Sequence, residues 1–167
     1  WQFCNKGLDL LEKLLNYRYC LSMELEEIID TSKLLGEWVH LATVSPSGTP
    51  YVTPVHPCWE DQILWTMVGI GSVKAKNIAS SPKVACHWQV SPETNFDSLI
   101  IWGTAKLVSD IPTKIRLWQD VFDYDLNDFA PGGPENSPTT GFISITPTKA
   151  IVLKAFGMGG KFEWKST

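Results

Sequence analysis

The sequence predicts a mainly β domain of the α+β class, a small antiparallel barrel of about six strands with helices set between them. Three observations lead there. From Trp38 onward the apolar period is two, as in "WVHLATV" and "DQILWTMV". Turn signals such as "SPSG" and "APGGPENSP" separate the runs. Helical periods are confined to a few short segments.

The elements follow in order. "LDLLEKLLNYRYCL" places Leu8, Leu11, Leu14, Leu15 and Tyr19 at helical spacing. A second amphipathic segment, "MELEEIIDTSKLLGEW", carries acids in its first turn, where a helix favours them. Met23 reads as a natural start, so residues 1–22 are expected to be a helical extension of unassigned role and 23–167 the domain proper. "WVHLATV", "TPYVTPVHP" and "DQILWTMV" read as a three-strand meander. Pro50, Pro54 and Pro57 put an edge or a bulge in its middle strand. Ser72 caps a short helix that Ser81-Pro82 stops. "KVACHWQV" and "SLIIWGTAKLVSD" are strands. Asp110 then caps a helix with Pro112 in its first turn and Ile115, Trp118 and Phe122 as its buried stripe. "APGGPENSP" reads as loop, "GFISITPTKAIVLKA" as the last strand or strand pair, and "GMGGKFEWKST" as a tail.

At 167 residues the chain is one domain with room for a real core. Its net charge of −4 argues against a nucleic-acid partner, which a basic face would serve. There is no apolar run long enough to span a bilayer. Cys4, Cys20, Cys58 and Cys86 fit neither a zinc ribbon nor a redox dithiol, and a reduced, cytoplasmic protein is expected. Eight Trp and seven Phe suit a packed β core, a flat ligand or a subunit interface alike.

The charge pattern at Ser72 points to a ligand. A helix start carries partial positive charge and unpaired N–H groups, yet here it carries Lys74 and Lys76. A phosphate would accept those N–H bonds and neutralise Lys74, with Gly69 and Gly71 allowing close approach. Lys76 is about 200° from Lys74 around the helix and faces elsewhere. The alternative is two solvated lysines. His87 and Cys86 point to opposite faces and cannot pair. His56 and Cys58 can share a face, but the sequence offers no third ligand, so they read as a packed pair and no metal is expected. No catalytic side chain stands out, which suits a fold lent to a cofactor.

The stretch from His40 to Gln89 resembles the FMN-binding split barrel of the pyridoxamine 5′-phosphate oxidase-like superfamily. The residues that carry the likeness are Ala42-Thr43, Gly48, Pro50, Val52-Thr53-Pro54-Val55, Trp65-Thr66, Ser72-Val73-Lys74 and Ser81-Pro82-Lys83-Val84-Ala85. "IIWGTAKLVSD" and "FAPGGPENSP" resemble the branch that includes general stress proteins. The likeness covers about residues 36 to 155. It implies a six-stranded antiparallel split β-barrel with flanking helices, and a homodimer with flavin at the interface. It also implies that Ser72 and Lys74 bind the FMN phosphate and that Tyr51, Val52, Thr53 and Pro54 run beneath the ribityl chain and ring. Trp65 and Thr66 would line the same pocket, and Ser98 would reach the flavin from the second subunit.

The departures narrow the function. The oxidases have Ser-Arg-Lys where this chain has Ser72-Val73-Lys74, an arginine where it has Pro50, and a C-terminal Arg-x-His motif that it lacks. The resemblance therefore implies an FMN-dependent oxidoreductase, using NAD(P)H or a small organic substrate, that does not oxidise pyridoxamine phosphate. The alternative is a non-catalytic binding or sensing protein on the same barrel, for flavin or, behind it, deazaflavin or haem.

Overall fold

The computed structural model describes residues 20–167. The helical reading of residues 1–22 lies outside them up to residue 19, and at its last three residues it is corrected to a strand. Residues Cys20–Ser22 form a strand, β1. Helix α1 follows at Leu25–Leu35, opened by a capping box in which Glu24 and Glu27 satisfy each other's backbone N–H groups. Strands β2 (Val39–Val44), β3 (Pro50–Val55), β4 (Cys58–Glu60) and β5 (Ile63–Gly69) lead to α2 (Val73–Ser80). Then come β6 (Lys83–Trp88), β7 (Ser98–Val108), α3 (Ile111–Asp120), a one-turn α4 (Gly133–Asn136), β8 (Thr140–Leu153) and β9 (Lys161–Lys165).

The fold is mainly β, as the sequence predicts, with nine strands among the described residues in one sheet, seven of them in the order β1-β9-β8-β7-β6-β2-β3 and β4 and β5 off that path. The sheet is not closed among the described residues. Its split lies along β8. One edge of β8 is taken by β7 over nearly its whole length. The other edge is divided between β5, along Thr140 to Ile145, and β9, along Lys149 to Leu153. At the division β7 shifts register between Trp102 and Gly103, opposite Pro147, which has no N–H to give the ladder. A Cβ on Gly103 would stand 2.6 Å from the Thr146 carbonyl oxygen, so only glycine fits.

The expected three-strand meander is corrected. β2 and β3 form a hairpin, but β5 pairs with β4 and β8 and not with β3. β3 is therefore an open edge, which accommodates Pro50 and Pro54. The tail is corrected too: residues 161–165 are a strand whose Phe162 and Trp164 pack on the main core. The period of two was present in "KFEWK" but ran for only five residues. Part of "APGGPENSP" is helical, since Pro134 suits the first turn of α4.

The main core joins α1 and α2 to the inner face of the sheet through Ile28, Leu41, Leu99, Ile101, Ile143, Ile145 and Val152, all fully buried. A second cluster, Trp65, Leu117, Leu126 and Phe142, fills the space beneath α3. The stripe of α3 is rotated one position from Ile115-Trp118-Phe122. Lys114 and Leu117 are the buried residues, while those three are half-buried. Lys114 goes inward because its Nζ donates to the Ser137 carbonyl at 2.7 Å, a use of lysine that an apolar pattern does not register. No helix among the described residues is long and apolar enough to cross a membrane.

Candidate functional site

The start of α2 is built as the sequence requires. Ser72 has extended backbone and its Oγ accepts from the Ala75 N–H at 3.3 Å. A turn bonded from the Ser72 N–H to the Gly69 carbonyl joins the helix to the end of β5. Asn77, buried, donates from Nδ2 to Thr43 Oγ1 at 3.0 Å and ties the helix to β2.

These bonds set the two lysines apart. Lys76 is exposed, whereas Lys74 is half-buried and lines a cavity of about 600 Å³ with Ser72, Gly69, Gly71, Phe129 and Thr140. Burial pulls the Lys74 amine below its ordinary value, and among the described residues no carboxylate pairs with it. A cation losing hydration without a counter-ion is a place where an anion gains the most. The first-turn N–H groups of α2 add to the same pull. Phe129 and Thr140 come from far along the chain, and nothing in the sequence marked them for this cavity.

The other candidates divide between places. Tyr51 and Thr53 share a face of β3 with Val55, opposite Thr43, Leu41 and Val39 of β2, the face against which Asn77 of α2 is tied. Val52 and Pro54 point to the other face and are exposed. Thr53 Oγ1 is buried with no hydrogen-bond partner among the described residues, a loss of about 1–3 kcal/mol that a ligand acceptor or donor would recover. Trp65 and Thr66, expected in one pocket, lie on opposite faces of β5 because successive strand residues alternate. Trp65 packs beneath α3 with the Arg116 guanidinium 5.6 Å from its ring centre, and its Nε1 has no partner among the described residues. Thr66 is buried, paired in register with Ile143. Neither lines the Lys74 cavity. Ser98 is buried opposite Leu153, while Thr140 of that cavity is at the other end of β8, about 40 Å of strand away. Within one chain Ser98 and Lys74 do not meet.

Set beside known proteins, residues 25–154, more than three quarters of the chain, match the family model described as pyridoxamine 5′-phosphate oxidase. The chain belongs to the pyridoxamine 5′-phosphate oxidase family. Solved structures share the family fold. One, related to general stress protein 26 and from Clostridium acetobutylicum, superposes with a TM-score of 0.68 at 16% identity, covering 86% of this chain and 96% of its own. A pyridoxamine 5′-phosphate oxidase-related, FMN-binding protein from Nostoc punctiforme gives 0.62 at 19% identity, covering 86% and 94%. An F420 reductase gives 0.54 at 28% identity, covering 71% and 94%. No curated protein matches the chain.

Proposed function

We propose that the protein binds FMN, with its phosphate at the start of α2, and works as a flavin-dependent oxidoreductase. The observation that carries this reading is Lys74, half-buried, without a carboxylate partner among the described residues, and facing the same cavity as the helix cap Ser72. Membership of the oxidase family and likeness to an FMN-binding relative support it. Lys74 would neutralise the phosphate and the first turn of α2 would donate to it. Thr53 would offer its unpartnered hydroxyl, and the open edge of β3 its free backbone groups. Bound flavin would supply the redox chemistry at hydride level, so the chain itself needs no acid–base pair. NAD(P)H or a small organic compound would be the electron donor.

A homodimer belongs to this reading. Tyr51 and Val52 leave 42% and 62% of their surface exposed on an open sheet edge, which a second copy would cover. The same arrangement would bring a partner's Ser98 region to the flavin, which one chain cannot do. A cytoplasmic setting fits Cys58 and Cys86, both free thiols.

The test is an FMN titration followed by flavin fluorescence, then NADH and NADPH oxidation by the loaded protein. Lys74→Ala should weaken binding ten- to a hundredfold, about 1.5–3 kcal/mol. Turnover that persists in a flavin-free Lys74→Ala protein overturns the oxidoreductase reading. Likeness to an F420 reductase favours a second reading, in which the cofactor is a deazaflavin. Uptake of the deazaflavin in preference to FMN would select it.

A further inference from the structure

His56 follows the end of β3 and Cys58 opens β4, two residues on, so both side chains can reach one side of the connection. From the sequence they lacked a third partner. The structure supplies it: Asp123, just past α3, places one carboxylate oxygen, Oδ1, 3.4 Å from His56 Nε2 and 3.3 Å from Cys58 Sγ. All three ligand atoms lie within 4.8 Å of one another.

We propose that His56, Cys58 and Asp123 form a zinc site whose fourth position opens into the cavity beside them. The geometry is close to what the ion needs. With Zn–S near 2.3 Å and Zn–N and Zn–O near 2.0–2.1 Å, a tetrahedron puts sulfur and oxygen about 3.5 Å apart and nitrogen and oxygen about 3.3 Å apart. Both edges that meet at Asp123 already have those lengths to within a few tenths of an ångström. The third edge, His56 to Cys58, is no longer than 4.8 Å and would be about 3.5 Å in the same tetrahedron.

The chemistry of the set favours zinc over calcium and magnesium. One sulfur, one imidazole nitrogen and one carboxylate oxygen are a borderline-soft mixture that calcium and magnesium do not favour. A thiolate and a carboxylate balance the two positive charges, with the thiol proton released to solvent on binding. Three protein ligands with an open fourth position is the pattern of a zinc that keeps water or a ligand.

The surroundings hold the ligands in place. The His56 ring stacks on Tyr124 with centroids 4.3 Å apart and meets Trp38 at 5.4 Å. The Tyr124 hydroxyl donates to the His56 carbonyl at 3.2 Å. These contacts fix the imidazole much as outer hydrogen bonds orient ligands in metal sites. A cavity of about 350 Å³ borders all three ligands and reaches Glu37 and Lys33, giving the ion an entry path and an exogenous ligand room.

The test uses the full chain, treated with chelator, desalted and then given zinc. Elemental analysis should find one zinc per chain, and X-ray absorption should show one sulfur near 2.3 Å with nitrogen and oxygen near 2.0–2.1 Å. Cys58→Ser, His56→Gln and Asp123→Asn should each weaken binding by at least about a hundredfold, while Asp120→Asn should not. Zinc far below one per chain, or a shell without sulfur, overturns the site. So does a Cys58→Ser protein that keeps its zinc. If Cys58→Ser fails to fold, the native shell and Asp123→Asn decide. None of these readouts involves flavin.

Discussion

Asn77 and Thr43, both buried, meet through one hydrogen bond of 3.0 Å, and that bond joins the helix bearing Lys74 to the inner sheet. Asn77→Ala strands the Thr43 hydroxyl and should cost about 1–3 kcal/mol of stability in urea unfolding. It should also weaken FMN binding although Asn77 does not line the cavity. Unchanged affinity would mean that α2 holds its place without this tie.

Lys74 and Lys76 provide an internal control. Both substitutions to alanine remove one positive charge two residues apart, but only Lys74 is half-buried at the cavity. Lys76→Ala should change FMN affinity less than about twofold, against ten- to a hundredfold for Lys74→Ala. Equal effects would show that net charge, rather than contact, attracts the ligand.

Gly103 sits where β7 shifts register against β8. Gly103→Ala forces a Cβ to within 2.6 Å of the Thr146 carbonyl oxygen and 2.8 Å of Ile145 Cγ2. The overpacking should destabilise the fold by about 1–3 kcal/mol, measured as a lower urea midpoint. A variant as stable as the parent would show that the strands can move apart here.

His87 faces His40 across β2 and β6, with ring centroids 6.4 Å apart. Burial, and then the charge of His40, hold His87 below its ordinary value of 6.5. The fold therefore prefers the neutral ring, and the unfolded chain takes up the proton first. Stability should fall as pH drops through about 6.5 and stop falling below the folded value. Thermal unfolding at pH 7.5 and 5.5 measures this, and His87→Gln should flatten the difference.

What was legible in the sequence was local. The amphipathic segment of α1, the boundaries of α2, the β2–β3 hairpin at "SPSG" and the Asp110 cap of α3 all follow from residues close in sequence. What was hidden depends on long-range pairing. No local signal says that β5 leaves β3 for β8, or that Asp123 arrives beside His56 and Cys58. The burial of Lys114 was hidden because its acceptor, the Ser137 carbonyl, lies 23 residues away. Ser72 and Lys74 share a cavity because a helix start is a local object. Trp65 and Thr66 take opposite faces of β5, and a shared motif says nothing of which face each residue takes.

The divided edge of β8 also imposes an order of events. Among the described residues β1 pairs only with β9, Cys20 to Ser22 lying parallel to Lys161 to Glu163, and β9 in turn rests on the second half of β8. On a ribosome the first strand of the described domain must therefore wait for the last. Until residues 161–163 emerge, Cys20–Ser22 lacks the strand it pairs with, while the rest of the sheet can already assemble.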